Sequence, residues 1–434
     1  MPARLDARAP GFAAAFDRLV EERRGTAPSV TKDAQEIIDT VRQDGDAALI
    51  NYTDHYDKFR VTADKLRVGT NEIAAAHASC DARDLEALSF AAARIEAYHR
   101  RQVPQNLDYV DAAGVRLGHR FTPVASAGLY VPGGRAAYPS SVLMNAIPAR
   151  VAGVPRIAIA VPAPQGHLNP LVLAAAEIVG VTEIYRIGGA QAIAALAYGT
   201  ETIEPVVKIV GPGNAYVTAA KRIVRNVVGT DADSGPTEVL VVADAANDPA
   251  WIAADLLAQA EHAEDSQSIL ITDDAAFARA VEDAITRQLS RLPRANIAAA
   301  SWERHGAVIV VGALADAPSL IDRLAPEHLE LAIADPDALA AKVRNAGAIF
   351  LGRHAPEAVG DYVAGPSHVL PTSRSARFSS GLGVVDFLKR TSIIGCDAAA
   401  LARIGPAAVT LAEAEGLGAH ALSVSLRLGG APKD

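Results

Sequence analysis

Several short segments of the sequence carry side chains that bind metals, move protons or accept close approach of a ligand. Gln259 and His262 lie three residues apart in PAWIAADLLAQAEH, a stretch with helical periodicity. Residues at this spacing share a helical face, so the amide oxygen and the imidazole can converge on one point. Histidine is the commonest metal ligand, and an amide oxygen is a rarer one. A metal site is therefore one interpretation, and a helix end with a dipole-facing His and a solvated Gln is the other.

The segment PEHLE (326–330) places a carboxylate directly before an imidazole, between an expected helix and an expected strand. The side chains of Glu327 and His328 titrate near pH ~4 and ~6.5 before any perturbation. Each can therefore be tuned for a different proton transfer. A surface loop with ordinary charges has the same composition, so the segment alone leaves both interpretations open.

Two further segments combine acidic and imidazole side chains with glycine and proline. In GDYVAGPSHVLPT (360–372), Gly and Pro are so frequent that we expect a shaped loop, in which Asp361 and His368 serve a metal or a substrate. In EGLGAH (415–420), Glu415 and His420 stand beside glycines that allow a ligand to approach closely. A purely structural loop and a capped helix start are the respective alternatives.

The turn GPGN (211–214) lies between an apolar run and an expected helix. Backbone N–H groups at such a helix start can face an anion, although many similar turns bind nothing. The sequence has no G-x-G-x-x-G after a candidate strand, and no P-loop, H-E-x-x-H or G-x-S-x-G pattern. A bound nucleotide would therefore need a less usual arrangement.

The elements that position these segments follow from the hydrophobic pattern. The first 100 or so residues have mainly helical periodicity, and from about residue 124 short apolar runs alternate with Ala-rich helical stretches. This is the βαβ order of a parallel sheet covered on both faces, and it resumes after residue 244 as far as about Leu351. Past Arg377 the strand signal fades. The pattern predicts two α/β domains and a small helical C-terminal appendage.

Composition narrows the class of protein. The 434 residues are 50% hydrophobic and 21% charged, as in ordinary globular proteins. The net charge of −9 gives no reason to expect a nucleic acid as a partner. Two cysteines, Cys80 and Cys396, are too few for a disulfide framework and indicate a reducing compartment. The longest uncharged stretch, 157–176, is broken by prolines and polar residues. We therefore expect a cytoplasmic protein without a membrane partner.

Taken in order, the segments resemble the histidinol dehydrogenase family from about residue 30 to residue 428. The ordered segments with compatible spacings are too many for a chance match. They are GLYVPGG (128–134), YPSSVLMNAIPARVAGV (138–154), GGAQAIAALAYGTETI (188–203), GPGNAYVTAAK (211–221), LLAQAEH (256–262), PEHLEL (326–331), GDYVAGPSHVLPT (360–372), ARFSSGL (376–382) and EGLGAHA (415–421).

The resemblance implies a zinc-dependent enzyme, with one Zn²⁺ per subunit, that acts on a small amino alcohol. It would oxidise L-histidinol to L-histidine through an aldehyde, using two NAD⁺, in the last step of histidine biosynthesis. The resemblance also implies a homodimer with shared active sites, each of which borrows the C-terminal domain of the partner subunit.

The implied fold has two incomplete Rossmann-like parallel-sheet domains with small helical segments at both termini. Residues 26–128 and 237–378 would form the first α/β domain, which carries the metal and acid–base residues. Residues 129–236 would form the second, with the NAD contacts. Residues 1–25 would be an N-terminal helical segment, and residues 379–434 a C-terminal helical domain.

The family's functional positions carry over residue by residue. The acid–base pair falls on Glu327 and His328. The zinc ligands fall on Gln259, His262, Asp361 and His420. The substrate contacts fall on Thr237, Gln259, His262, His328, Asp361, Glu415 and His420. The NAD contacts fall on Tyr130, Gln191 and Asn214.

The chain departs from the family pattern beside the expected substrate. TDADSGPTEV (230–239) stands where the family usually reads close to IDM-x-AGPSEV, so Thr237 adds a methyl group to the usual serine hydroxyl. Ser367 occupies a position often held by Asn. These changes keep open a paralogous zinc/NAD dehydrogenase of another small alcohol, such as a sulfonated diol. A non-catalytic metal-binding scaffold is the alternative from another class, although all ligand and acid–base positions are retained together.

Overall fold

A computed structural model describes residues 2–21, 28–133, 138–233 and 235–430. Within these ranges the chain forms a six-stranded, a five-stranded and a three-stranded sheet. The strands are β1 (Ala3–Asp6), β2 (Leu107–Val110), β3 (Arg116–Pro123), β4 (Ser126–Tyr130), β5 (Arg156–Ala160), β6 (Glu183–Tyr185), β7 (Lys208–Val210), β8 (Gly229–Thr230), β9 (Glu238–Ala243), β10 (Gln267–Thr272), β11 (Ala307–Val310), β12 (His328–Ala332), β13 (Ala348–Leu351) and β14 (Leu388–Gly395).

Helices surround the sheets and connect their strands. They are α1 (Phe12–Glu21), α2 (Pro28–Asp44), α3 (Asp46–Tyr52), α4 (Ala63–Leu66), α5 (Thr70–Ser79), α6 (Ala82–Arg100), α7 (Pro139–Ala152), α8 (Pro170–Ile178), α9 (Gly189–Tyr198), α10 (Ala215–Val224), α11 (Pro249–Ala260), α12 (Ala275–Leu289), α13 (Ala295–His305), α14 (Ala317–Leu324), α15 (Pro336–Ala340), α16 (Glu357–Tyr362), α17 (Ala398–Ala414) and α18 (Gly418–Arg427). None of the described helices is both long enough and apolar enough to cross a membrane.

The six-stranded sheet is parallel throughout, in the order β1-β11-β10-β9-β12-β13. Alternate residues of β9 face opposite sides because side chains alternate along a strand. Leu240 and Val242 pack with α1 and α14, whereas Val239 and Val241 pack with α11 and α12. Both faces are buried, which explains why this strand is apolar without interruption.

The five-stranded sheet is also parallel, in the order β6-β5-β4-β7-β8. Helices α2, α9 and α10 belong to the core on one face, and α7 and α8 belong to the core on the other. The strands predicted in the runs ASAGLYV, RIAIAVP, EIYRIG and PVVKIV are confirmed as β4 to β7. The predicted α/β class with two parallel-sheet units is confirmed as well.

Helices α2 to α6 lie on the five-stranded sheet. The core around Ile38 and Leu49 includes Ala192 and Ala220 of helices α9 and α10, and α6 packs on α7. The assignment of residues 26–128 and 237–378 to one domain stays a prediction, and the contacts of these helices show only that they pack on the five-stranded sheet. The Ala-rich helices of the five-stranded unit carry small side chains on broad apolar faces, which become buried only under this additional layer.

The N-terminal segment is only partly helical. Ala3–Asp6 pairs in parallel with β11 at the edge of the six-stranded sheet, and α1 then packs on the same sheet. The predicted helical segment over 1–25 is therefore corrected to a strand followed by a helix, and residues 1 and 22–27 lie outside the described residues. The strand β1 has only four residues and lies at the edge of its sheet. Its sequence is too short to show the alternation of apolar and polar residues that identifies a strand.

The C-terminal segment contains a strand that the sequence analysis missed. Leu388–Gly395 pairs antiparallel with β3, which pairs with β2, and the helices α17 and α18 pack on each other. The segment 379–434, expected to be a helical domain, therefore contains this strand in addition to its two helices. The run LKRTSIIG is mostly exposed and has no apolar alternation, because its sheet has little core to cover.

Candidate active site

A cavity of about 260 Å³ lies between the two parallel sheets. On one side are Thr237, Glu327 and His328, at the amino ends of β9 and β12. On the other side are Pro132 and the turn 212–214, which follow the carboxyl ends of β4 and β7. The amino edge of the six-stranded sheet therefore faces the carboxyl edge of the five-stranded sheet. Residues far apart in sequence converge there.

Glu327 is a buried carboxyl group held by two donors. Its Oε2 atom accepts hydrogen bonds from the Thr237 hydroxyl at 2.6 Å and from the Glu238 backbone N–H at 3.0 Å. Burial raises the pKa of Glu327 to about 8, although both hydrogen bonds act in the opposite direction. A carboxyl group with this pKa is able to exchange a proton near neutral pH.

His328 is oriented by the carbonyl group of the same residue that donates to Glu327. Its Nδ1 atom lies 2.9 Å from the carbonyl oxygen of Glu238. A carbonyl oxygen only accepts, so Nδ1 carries a proton and the neutral ring keeps its lone pair on Nε2. The Nε2 atom lies 3.7 Å from Oε1 of Glu357. The imidazole therefore presents its basic nitrogen toward the side where further acidic groups lie.

Glu357 is a site residue that the sequence analysis did not identify. It is buried, and burial raises its pKa to about 7. Ligand atoms of Glu357, His328 and Asp361 all lie within 4.8 Å of one another. Glu357 precedes Asp361 by four residues in α16, and this spacing places two side chains on one helical face. The signal went unnoticed because residues 360–372 were expected to be a loop, whereas Asp361 lies in a short helix.

His262 and Asp361 are brought together as the family resemblance implies. The His262 Nε2 atom lies 3.7 Å from Asp361 Oδ2, and Asp361 Oδ1 lies 3.6 Å from Nδ1 of His368. Burial raises the pKa of Asp361, but the neighbouring imidazoles outweigh it and the net shift is downward. Burial lowers the pKa of His262. A neutral imidazole beside an ionised carboxylate is the protonation state that binds a metal.

Gln259 lies in the last turn of α11, three residues before His262, and does not itself line the cavity. Its side chain is fully buried, and neither its Oε1 nor its Nε2 atom has a hydrogen-bond partner among the described residues. A buried amide without partners is costly and demands an explanation. An amide oxygen, an imidazole and a carboxylate are donors that zinc accepts. The unpartnered amide and the His262–Asp361 pair fit a metal ion.

Two residues that the family resemblance implies for the site, Glu415 and His420, do not line the cavity of their own chain. Glu415 ends α17 and His420 lies in α18, and both side chains are exposed. Among the described residues, those that line the cavity all precede residue 373. One implied zinc ligand, His420, and two implied substrate contacts, Glu415 and His420, are therefore absent from the cavity that one chain forms.

The implied NAD contacts lie at the carboxyl edge of the five-stranded sheet. Asn214 lines the cavity and caps α10, because its side-chain oxygen accepts from the N–H groups of Tyr216 and Val217 at 3.0 and 3.1 Å. The Tyr130 hydroxyl accepts from the backbone N–H of Gly189 at 3.0 Å, and burial raises its pKa to about 12. Gln191 is buried in the first turn of α9.

The two departures from the family pattern have different surroundings. Thr237 lines the cavity, and its hydroxyl donates to Glu327, as a serine hydroxyl at that position would be able to do. The Ser367 hydroxyl donates to the Met144 carbonyl at 3.2 Å and does not line the cavity. Thr237 therefore influences the site directly, whereas Ser367 holds the loop against α7.

Comparison with known proteins gives one consistent result. The histidinol dehydrogenase family model matches residues 20–428. A protein of Rhodospirillum rubrum named histidinol dehydrogenase is 61% identical over 429 residues, which cover 99% of each chain. Another of that name from Ruegeria pomeroyi is 60% identical over 428 residues, again covering 99% of each chain.

The fold gives the same result. The crystal structure of histidinol dehydrogenase from Elizabethkingia anophelis superimposes with a TM-score of 0.94 at 37% sequence identity, and covers 99% of this chain and 98% of that one. Sequence and fold agree over nearly the full length. The chain belongs to the histidinol dehydrogenase family of oxidoreductases.

Proposed function

We propose that the chain oxidises L-histidinol to L-histidine in two successive steps, with zinc bound in the active site and two NAD⁺ consumed. The observation that carries this proposal is the pair Glu327 and His328, two buried acid–base groups held by the backbone N–H and carbonyl group of Glu238. They lie beside side chains of the kinds that bind metals. Family membership supports the substrate. The reaction is the last step of histidine biosynthesis.

The first step removes a hydride and a proton from a primary alcohol and gives an aldehyde. Its proton requires a base with a free lone pair near the reacting carbon. His328 meets this requirement, because its Nδ1 atom is held by a carbonyl group and its Nε2 atom is free to accept. NAD⁺ supplies the hydride acceptor.

The second step adds water to the aldehyde, removes a second hydride and gives a carboxylate. Over both steps, one alcohol, one water and two NAD⁺ give one carboxylate, two NADH and three protons. Glu327 is suited to take a proton from the attacking water, because its pKa near 8 lets it alternate between the neutral and charged forms. Thr237 and Glu238 hold the carboxylate in place.

The proposed zinc ligands are Gln259, His262, Asp361 and His420. The unpartnered amide of Gln259 and the proximity of His262 to Asp361 support the first three. A zinc ion there would orient the substrate nitrogens and polarise the reacting oxygen. Glu357 lies beside Asp361 and adds a buried acidic group to the same cluster.

The proposed substrate contacts are Thr237, Gln259, His262, His328, Asp361, Glu415 and His420. Glu415 is suited to a cationic amine because its carboxylate offers an opposite charge. Since Glu415 and His420 lie outside the cavity of their own chain, the proposal includes a homodimer. Each C-terminal segment would then complete the active site of the partner subunit.

The proposed NAD contacts are Tyr130, Gln191 and Asn214, at the carboxyl ends of parallel strands where α/β sheets bind ligands. The free cysteines Cys80 and Cys396 support the further proposal that the protein works in the cytoplasm.

NADH formation with L-histidinol, other amino alcohols and sulfonated diols tests the substrate. We expect the highest kcat/KM with L-histidinol. A higher kcat/KM with another alcohol would favour the paralogous dehydrogenase, for which the methyl group of Thr237 in the cavity is the structural argument. No reduction of NAD⁺ with any alcohol would contradict the enzymatic proposal.

Removal of the metal tests the zinc proposal. Chelation should abolish turnover, and added Zn²⁺ should restore it, with Mn²⁺ and Co²⁺ as possible substitutes. Elemental analysis of the chelated protein provides the necessary control. Full activity in a protein shown to be metal-free would contradict this part of the proposal.

A further inference from the structure

A buried ion pair outside the proposed catalytic and ligand set adjoins the turn 211–214. Lys221 has a side chain only 2% exposed, and it forms an ion pair with Asp231, whose side chain is 5% exposed. A buried ammonium group is costly unless paired and hydrogen-bonded, so such a lysine requires a structural or functional reason. The surroundings of the pair supply one.

The two charged groups bind the backbone of Gly211 on either side of its Cα atom. Lys221 Nζ donates to the carbonyl oxygen of Gly211 at 2.9 Å. Asp231 Oδ2 accepts from the backbone N–H of Gly211 at 2.7 Å. Each of the two peptide groups that flank the Gly211 Cα atom is therefore oriented by one charge-assisted hydrogen bond, which is stronger than a bond between neutral groups.

The backbone at Gly211 is also constrained by its own conformation and by the neighbouring backbone. Its φ of +115° is one that side chains disfavour, and a Cβ atom there would lie 2.1 Å from the carbonyl oxygen of Tyr130. The backbone after β7 is therefore packed directly on the backbone at the end of β4. Both segments carry proposed NAD contacts, Asn214 and Tyr130.

The ion pair also ties the turn to the helix that follows it. Asn214 caps α10, and Lys221 lies seven residues later, two helical turns along on the same face. Asp231 follows β8, the next strand of the sheet. Helix α10 thus begins at Asn214, which lines the cavity, and its residue Lys221 binds the carbonyl group of Gly211 at the start of the turn.

We infer that Lys221 and Asp231 are positioning residues for the nucleotide: they hold the turn 211–214 in the conformation that binds NAD⁺. This inference rests on the proposed function, because it assigns the turn to the nucleotide rather than to the alcohol. It predicts that loss of the pair weakens NAD⁺ binding selectively, while the metal and alcohol sites stay intact.

The test measures binding of NAD⁺ and NADH directly, without substrate, in the zinc-loaded protein. Lys221→Met should raise both dissociation constants by about 10- to 100-fold, as expected for the loss of a buried charged hydrogen bond. The KM for NAD⁺ should rise similarly. Zinc content and the KM for L-histidinol at saturating NAD⁺ should stay close to those of the parent protein.

Additional variants separate positioning from general stability. Lys221→Arg should recover part of the affinity, because a guanidinium group also donates to a carbonyl and a carboxylate. The double variant Lys221→Met/Asp231→Asn leaves no unpaired charge and keeps the test valid if the single variant fails to fold. Its affinity should be no weaker than that of Lys221→Met, because paired residues act as one unit.

Arg156→Met is the matched control. It removes a half-buried ion pair with Glu183 in the same sheet, at the amino ends of β5 and β6 and so at the edge opposite the turn. It should lower the thermal midpoint without changing NAD⁺ affinity.

The outcomes distinguish the inference from the function on which it rests. A parent protein that binds neither NAD⁺ nor NADH overturns the proposed function and the inference together. A parent protein that binds NAD⁺ and oxidises L-histidinol, with Lys221 variants whose affinity stays within about twofold, overturns the inference alone. A loss of affinity in Arg156→Met equal to that in Lys221→Met also overturns it.

Discussion

At the scale of single residues, the backbone of Glu238 organises the acid–base chemistry. Its N–H donates to Glu327 and its carbonyl oxygen accepts from His328, so the two peptide groups that flank one residue orient both side chains. Glu238 begins a central strand with neighbours on both sides, which limits its movement. Precise orientation of the two groups follows from their attachment to the sheet rather than to a loop.

The two groups should affect different half-reactions. His328→Asn should slow oxidation of the alcohol far more than oxidation of a supplied aldehyde. Glu327→Gln should chiefly slow aldehyde oxidation. Each loss should be about 10²- to 10⁴-fold, the usual cost of a missing general base. Rapid mixing of Glu327→Gln should show a fast first equivalent of NADH per site and then a slow phase. Equal losses in both half-reactions for both variants would mean that the pair acts as one unit.

The raised pKa of Glu327 also makes a prediction about stability. Burial raises this pKa from 4.5 to about 8, so the folded state binds the proton more tightly than the unfolded chain. The resulting stabilisation is complete below about pH 4.5 and is lost as the pH rises through about 8. Glu327→Gln, which is always neutral, should exceed the parent protein in free energy of unfolding above pH 8 by up to about 5 kcal/mol.

Denaturant titrations at pH 5 and pH 9 measure this difference. The advantage of Glu327→Gln should be small at pH 5 and large at pH 9. A difference that does not grow with pH would show that the carboxyl group is ionised at little cost in the folded protein.

At the scale of elements, the site depends on which edges of the two sheets meet. The five-stranded sheet follows the usual rule, since its cavity residues come after the carboxyl ends of β4 and β7. The six-stranded sheet instead presents the amino ends of β9 and β12. Helix α10 begins at this boundary, so its first turn and its Asn214 cap lie beside the cavity.

Asn214 should have two separable roles at this helix start. Asn214→Ala removes both the capping oxygen and the amide, and should lower stability by about 1 kcal/mol as well as weaken NAD⁺ binding. Asn214→Ser keeps a capping oxygen but lacks the amide, so it should weaken NAD⁺ binding at nearly unchanged stability. Thermal unfolding and the KM for NAD⁺ separate the two effects. A normal KM in Asn214→Ser would contradict the proposed contact.

At the scale of the whole molecule, large apolar side chains are exposed on the C-terminal unit, by which we mean the three-stranded sheet together with α17 and α18. Val110, Ile394 and Leu411 are 65%, 76% and 64% exposed, on the three-stranded sheet and α17. Large exposed apolar patches mark interaction surfaces. Glu415 and His420 lie on this same unit, outside their own chain's cavity. A second copy of the chain would both cover the surface and receive these residues.

Mixing two inactive variants tests this exchange. Glu327→Gln inactivates the cavity, and His420→Ala inactivates the segment that would be donated to the partner. In a mixed dimer, one site receives both defects and the other receives neither. Random reassociation of equal amounts should restore about a quarter of the parent activity. Mixtures that stay inactive after demonstrated subunit exchange would show that His420 acts in its own chain.

The sequence alone determined the local elements and the chemical groups of the site. The apolar runs that contain β4 to β7 and β9 are buried on both faces of their sheets. Their continuous hydrophobic pattern therefore identified them as strands. Glu327, His328, His262 and Asp361 were recognisable because their ordered motifs resemble those of one family. These features depend on neighbours in the chain, which a sequence displays directly.

The tertiary structure decided what depends on distant contacts. Helices α2 to α6 cover the five-stranded sheet, because its Ala-rich helices need a further apolar layer. Glu357 became a site residue only when a short helix placed it beside Asp361. The role of Lys221 was hidden because its partners, Gly211 and Asp231, come from separate strand ends. Burial, and with it the raised pKa of Glu327, is set by the packing of two sheets, which no local pattern records.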